Sequence, residues 1–251
     1  MTGTANGVRR PLQGGAMLVD AALAGAADAR WFDPSWWEAA GAVVGRGGGR
    51  GAVWYLDTPH GGWVLRRYRR GGLARVLSSE HYLWTGEART RAFAEWRLLA
   101  HLYAEGLPVP RPVAAAYRRG PWPFYSAWLL TSRLPPNRTL RELCSEDAVP
   151  APAWAETGRV LARLHAAGAC HTDLNAGNVL VGDDGTVHVL DFDQGYRRAP
   201  GRWTRRNLAR LKRSLDKTAR EAGRDGVGDG QWAELLSGYR EAAPPEVSGD
   251  A

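Results

Sequence analysis

His171-Thr172-Asp173-Leu174-Asn175-Ala176-Gly177-Asn178 is followed, across a short hydrophobic hairpin, by Asp191-Phe192-Asp193. The pattern is H-x-D-L-x-x-x-N, then the β-forming runs Val179-Leu180-Val181 and Val187-His188-Val189-Leu190, then D-F-D. Phosphoryl transfer from ATP needs this donor set. One Asp orients or deprotonates the attacking hydroxyl, and an Asn shortly after it and a second Asp about twenty residues on hold Mg²⁺ against the phosphates. Asp173 is the candidate catalytic residue, and Asn178 and Asp191 are the candidate metal ligands. Asp193 is a further carboxylate that extends the metal or arginine network. An ordinary Asp/Asn-rich turn before a hairpin has no need of all these positions at once. His171 reads as a hydrogen-bonding residue of the loop, since no second His or Cys stands at a zinc-ligand spacing.

The surroundings narrow the chemistry. The chain has 251 residues, a formal net charge of +7, 44% hydrophobic residues and 12 Trp. That length fits one large domain or two small lobes sharing a cleft. The positive balance favours an anionic partner, and it is carried almost wholly by arginine, because Lys212 and Lys217 are the only lysines. Cys144 and Cys170 form no C-x-x-C motif, which fits a reducing compartment. No run of about 18 uncharged apolar residues is present, so no membrane span is expected. No nucleic-acid-binding motif accompanies the charge, and no signal sets an oligomeric state.

Upstream, residues 1 to about 14 read as a disordered tail. Trp31-Phe32 and Trp36-Trp37 read as aromatic anchors. Gly45-Arg46-Gly47-Gly48-Gly49-Arg50-Gly51, with Gly47 and Gly49 as candidate nucleotide contacts, is a turn through which backbone N–H groups can approach phosphates. Strict G-x-G-x-x-G spacing fails there in every register. A hairpin follows through Ala52–Leu56 and Trp63–Tyr68. A kinase strand at this point carries a lysine for the α- and β-phosphates. Here the role falls to arginine, Arg66 or alternatively Arg67, which offers phosphate a planar fork of donors. In Thr90–Leu102, Phe93, Trp96, Leu99 and Leu102 share one helical face, and Glu95 lies mid-helix as the partner for Arg66. Arg133-Leu134-Pro135-Pro136 marks an interlobe hinge, and Trp154–Ala167 is a helix leading into the catalytic loop. The stretch beyond Gly195 is short and lacks an A-P-E motif, so a small-molecule kinase with a reduced C-lobe is expected rather than a protein kinase. Trp203–Leu215 is a basic amphipathic helix, read either as a surface for an anionic membrane or as a C-lobe helix with a solvated basic face.

These residues resemble the 3-deoxy-D-manno-octulosonic acid (Kdo) kinase family of lipopolysaccharide core kinases, from about Ala16 to Leu215. The likeness is carried by Val64-Leu65-Arg66-Arg67-Tyr68-Arg69-Arg70-Gly71-Gly72, Arg91-Ala92-Phe93-Ala94-Glu95-Trp96, Gly106-Leu107-Pro108-Val109-Pro110, the catalytic loop, and Leu190-Asp191-Phe192-Asp193-Gln194-Gly195. The expected fold is α+β and bilobal, protein-kinase-like. A small antiparallel N-lobe with one main helix spans 15–132, a mostly helical reduced C-lobe spans 133–241, and a disordered tail spans 242–251. The resemblance implies ATP and Mg²⁺ as cofactors, a Kdo-lipid A acceptor phosphorylated at the 4-hydroxyl, and a peripheral position on the anionic cytoplasmic face of the inner membrane. Two alternatives are weaker. An aminoglycoside- or choline-type kinase takes cationic acceptors, which this arginine-rich neighbourhood disfavours. A non-catalytic kinase-like envelope module would have lost Asp173, Asn178 or Asp191, and all three are present.

Overall fold

The computed structural model describes residues 7–47, 52–68 and 82–244. The chain divides into two compact units, one of Met1–Ala104 with Pro110–Leu134, the other of Glu105–Val109 with Pro135–Ala251.

The first unit is built on an antiparallel sheet. Its strands are β1 (Gly7–Leu12), β2 (Gly15–Asp20), β3 (Val43–Gly47), β4 (Ala52–Thr58), β5 (Gly61–Arg67), β6 (Tyr82–Leu83), β7 (Pro112–Arg119) and β8 (Phe124–Ser132), and they run in the order β1-β2-β7-β8-β5-β4-β3, with β6 also on β8. This sheet is larger than the one expected, because β1 lies within the stretch read as a disordered tail. Gly14, at φ +72°, turns β1 back onto β2. In β2, Ala16, Met17, Leu18 and Val19 are buried and pair with β7. β1 is then held as an edge strand, and its Val-Arg-Arg-Pro sequence reads as polar tail because most of it faces solvent.

Helix α1 (Pro34–Ala39) starts where the Asp33 carboxylate accepts the Ser35 N–H at 3.0 Å. It places Trp37 among Trp31, Trp63, Leu56 and Leu65 in one apolar cluster. The Trp31 and Trp63 rings meet edge-on at 4.9 Å, so the aromatic anchors are core. Helix α2 (Arg91–Ala104) buries Phe93, Trp96, Leu99 and Leu102 as its periodicity predicts.

The second unit holds β9 (Asn137–Thr139), β10 (Ala169–Cys170), β11 (Val179–Gly182), β12 (Val187–Val189) and β13 (Tyr196–Arg197), with sheet order β12-β11-β9 and a separate β10-β13 pair. Its helices are α3 (Leu140–Ser145), α4 (Ala151–Ala166), α5 (Trp203–Glu221) and α6 (Asp229–Ala242). A Thr139/Glu142 capping box starts α3. Two glycines bring α4 and α6 together. A Cβ on Gly158 would meet the Leu235 carbonyl oxygen at 2.0 Å, and one on Gly238 would meet that of Ala155 at 2.0 Å. Ala242, the first residue of the stretch expected as a disordered tail, instead closes α6; residues 245–251 of that stretch lie outside the described residues.

Candidate active site

In the second unit the catalytic loop is fixed from beneath by His171. Its ring is buried and lies 4.9 Å from that of Phe192. The Asp173 N–H donates to His171 Nδ1 at 3.1 Å, so that nitrogen is the acceptor. Nε2 therefore carries the proton and donates to the Leu190 carbonyl at 2.8 Å. Burial holds the imidazole below its ordinary pKa. With a neutral ring and both nitrogens occupied, His171 is neither base nor ligand.

The same bonds gather the other candidates. Asn178 Nδ2 donates to the Asp173 carbonyl at 3.0 Å, and Asn175 Nδ2 reaches that oxygen at 2.8 Å. The Asn175 carboxamide oxygen accepts the Gly177 N–H at 2.9 Å, closing the turn. The β11–β12 hairpin pairs Val179 with Val189, and the Leu190 N–H then bonds the Asn178 carbonyl at 2.8 Å. Leu190 thus sits between Asn178 and His171, with Asp191 next to it in the chain. Asp191 adopts φ +59°, a left-handed conformation uncommon outside glycine. Phe192 beyond it is buried, and the Asp193 carbonyl accepts from Thr172 Oγ1 at 3.2 Å. Asp173, Asn178 and Asp191 are in this way brought to one loop cluster.

The donor chemistry fits Mg²⁺. Asn178 uses its amide nitrogen on the loop, which leaves its carboxamide oxygen to face a cation. Asp191 adds a carboxylate, and hard oxygens with few protein ligands are what Mg²⁺ takes beside phosphates. Among the described residues no cluster of three or more His, Cys, Asp or Glu forms a closed metal cage.

Helix α5 stands against this loop. Asn207 Nδ2 donates to the His171 carbonyl at 3.0 Å, and Ser214 Oγ accepts the Ala176 N–H at 3.1 Å. Between those anchors, Arg210 ion-pairs with the Asp173 carboxylate. Trp203, Leu208, Leu211 and Leu215 are all buried, so of the two readings open for this helix the apolar face takes the second and is spent inside the unit. The motif reading missed Asn207 and Ser214 and placed Arg210 only on a basic surface. The available signal was the spacing of 207, 210 and 214 along one helical face.

In the first unit Arg66, on β5, ion-pairs with Glu95 of α2. Glu95 is 3% exposed. Tyr68, missed by the motif reading, completes the group. Its hydroxyl donates to Glu95 Oε2 at 2.5 Å, and the Arg66 guanidinium lies 4.7 Å from its ring centre. Strand alternation was the signal, since residues 66 and 68 share a face. Arg67 points to the other face, 5.4 Å from the Trp128 ring. Gly47 ends β3 opposite Val53 of β4; Gly49 lies outside the described residues.

A family model described as Lipopolysaccharide kinase (Kdo/WaaP) family matches residues 34–239. The chain is 45% identical over 229 residues to a 3-deoxy-D-manno-octulosonic acid kinase of Xanthomonas campestris pv. campestris (strain B100), covering 91% of this chain and 90% of that one. It is 46% identical over 204 residues to a 3-deoxy-D-manno-octulosonic acid kinase of Stenotrophomonas maltophilia (strain R551-3), covering 81% of each. The solved structure of WaaP in complex with acyl carrier protein covers 86% of each chain with a TM-score of 0.55 at 21% identity, a likeness of fold.

Proposed function

From the premise that this chain belongs to the lipopolysaccharide kinase (Kdo/WaaP) family, we propose that it transfers the γ-phosphoryl group of ATP to the 4-hydroxyl of a Kdo residue on a lipid A precursor. The observation that carries the reading is the intact catalytic loop, with Asn178 tied to the Asp173 carbonyl, in a chain 45% identical to Kdo kinases across nearly its whole length.

Asp173 accepts or orients the proton of the sugar hydroxyl. Asn178 and Asp191 would hold Mg²⁺, whose chemistry would be to neutralise phosphate charge. Arg66, oriented by Glu95 and Tyr68, contacts nucleotide phosphates, and Gly47 and Gly49 belong to the nucleotide-binding turn. Positioning and charge compensation supply most of the rate, since phosphoryl transfer asks little covalent chemistry of the protein.

The acceptor class is anchored in a membrane, and the enzyme works as a peripheral protein on the cytoplasmic face of the inner membrane. No helix among the described residues is long and apolar enough to cross a bilayer. Arg206 and Arg213 on the exposed face of α5 are the kind of charge that anionic headgroups attract. A coupled ATP assay across Kdo-lipid A, heptosylated core and aminoglycosides tests the reading. Turnover confined to Kdo-bearing acceptors is expected, and turnover of aminoglycosides alone would refute it.

A further inference from the structure

The Asp173–Arg210 pair is not explained by stability. The two side chains are 53% and 48% exposed, and an ion pair in such solvent contributes little to folding. Yet its geometry is well supported. Asn207 and Ser214, one turn to either side, bind α5 to the catalytic loop through the His171 carbonyl and the Ala176 N–H. The residue between them on that face is thereby delivered to Asp173. The loop itself, His171 to Asn178, contains no cation. Arg210 is the one that α5 brings, and Arg206 and Arg213 flank it on the exposed surface. One Nη group of Arg210 donates to Asp173, and no other hydrogen bond engages this guanidinium among the described residues. The rest of its donor fork is open to a ligand.

Resting on the function proposed above, we infer that Arg210 binds the carboxylate of the acceptor sugar and selects acidic acceptors. In a 3-deoxy-2-ulosonic acid the carboxylate is borne by the anomeric carbon. The 4-hydroxyl stands on the next carbon but one, across a single methylene. A hydroxyl and a carboxylate lie side by side on the sugar, as Asp173 and Arg210 lie side by side on the protein. With the hydroxyl on Asp173, the sugar carboxylate meets the outer edge of the guanidinium, a charge-assisted contact of the kind arginine makes in bidentate form.

The test compares two acceptors, a Kdo-lipid A and the same molecule with its Kdo carboxyl reduced to the alcohol, in wild type, Arg210→Gln, Arg210→Lys and Arg220→Gln. Wild type is expected to favour the carboxylate acceptor by roughly 10- to 100-fold in kcat/KM. Arg210→Gln brings that ratio to within about threefold of unity, mainly by raising KM for the carboxylate acceptor. Arg210→Lys keeps the charge without the fork and falls between. Arg220→Gln, at the far end of α5, keeps the wild-type ratio. If Arg210→Gln slows both acceptors equally, Arg210 serves the phosphoryl group or the loop, and the inference is overturned. If wild type phosphorylates neither acceptor, the functional reading itself has failed, a separate result.

Discussion

Asp173 has two separable roles. Its carboxylate meets Arg210, while its main-chain carbonyl accepts from Asn175 and Asn178. Asp173→Ala removes the first and keeps the second. The variant should melt near wild type and lose about 10²- to 10⁴-fold in kcat, read by a coupled ATP assay beside a thermal melt. On β5, strand alternation gives neighbouring arginines different partners. Arg66→Ala is expected to weaken ATP binding roughly tenfold or more, whereas Arg67→Ala, whose guanidinium lies near Trp128, changes it by less than about twofold; a nucleotide titration separates them. His165 gives the fold a pH dependence. Buried on α4 with Nδ1 2.8 Å from the hydroxyl of Tyr239 on α6, it is pulled by burial from 6.5 to about 4. The unfolded chain therefore binds the proton more readily than the folded one. Stability is full above about pH 6.5 and falls as pH drops toward 4, by up to about 3 kcal/mol from this group. In urea titrations His165→Gln should remove that part of the pH dependence, and an unchanged slope would refute the assignment.

Helices α2, α4 and α5 were legible because apolar residues recur at helical spacing. Phe93, Trp96, Leu99 and Leu102 mark α2, and Val160, Leu161 and Leu164 mark α4. The same periodicity could not say what each apolar face covers. In α5 it is consistent with a membrane surface or with a protein core, and packing decided for the core. Leu211 is fully buried, so Leu211→Ala should cost about 3 kcal/mol in a denaturant melt and leave binding to anionic vesicles unchanged. Loss of vesicle binding without loss of stability would restore the membrane reading of that face. The strand β1 was illegible for a related reason. An edge strand buries little, and its residues resemble those of a loose tail until a neighbour supplies the hydrogen bonds.

Across the whole molecule, the net charge of +7 and an acidic acceptor make turnover sensitive to salt. Raising ionic strength from about 0.05 M to 0.5 M should lower kcat/KM for Kdo-lipid A several-fold by screening the approach. A flat profile would mean that encounter is not steered by charge. The reaction class was readable from local spacing alone, because Asp173, Asn178 and Asp191 follow one another along a loop and hairpin. The lack of any lysine near β5 leaves Arg66 and Arg67 as the cations of that strand, and family resemblance supplied the acceptor class. Long-range packing was needed to show that Tyr68 joins Arg66 and Glu95, that His171 is held neutral by two main-chain partners, and that α5 delivers Arg210 to Asp173. Residues 173 and 210 are far apart in the chain, and no local period relates them. Their meeting depends on Asn207, Ser214 and the buried leucines that press α5 against the loop.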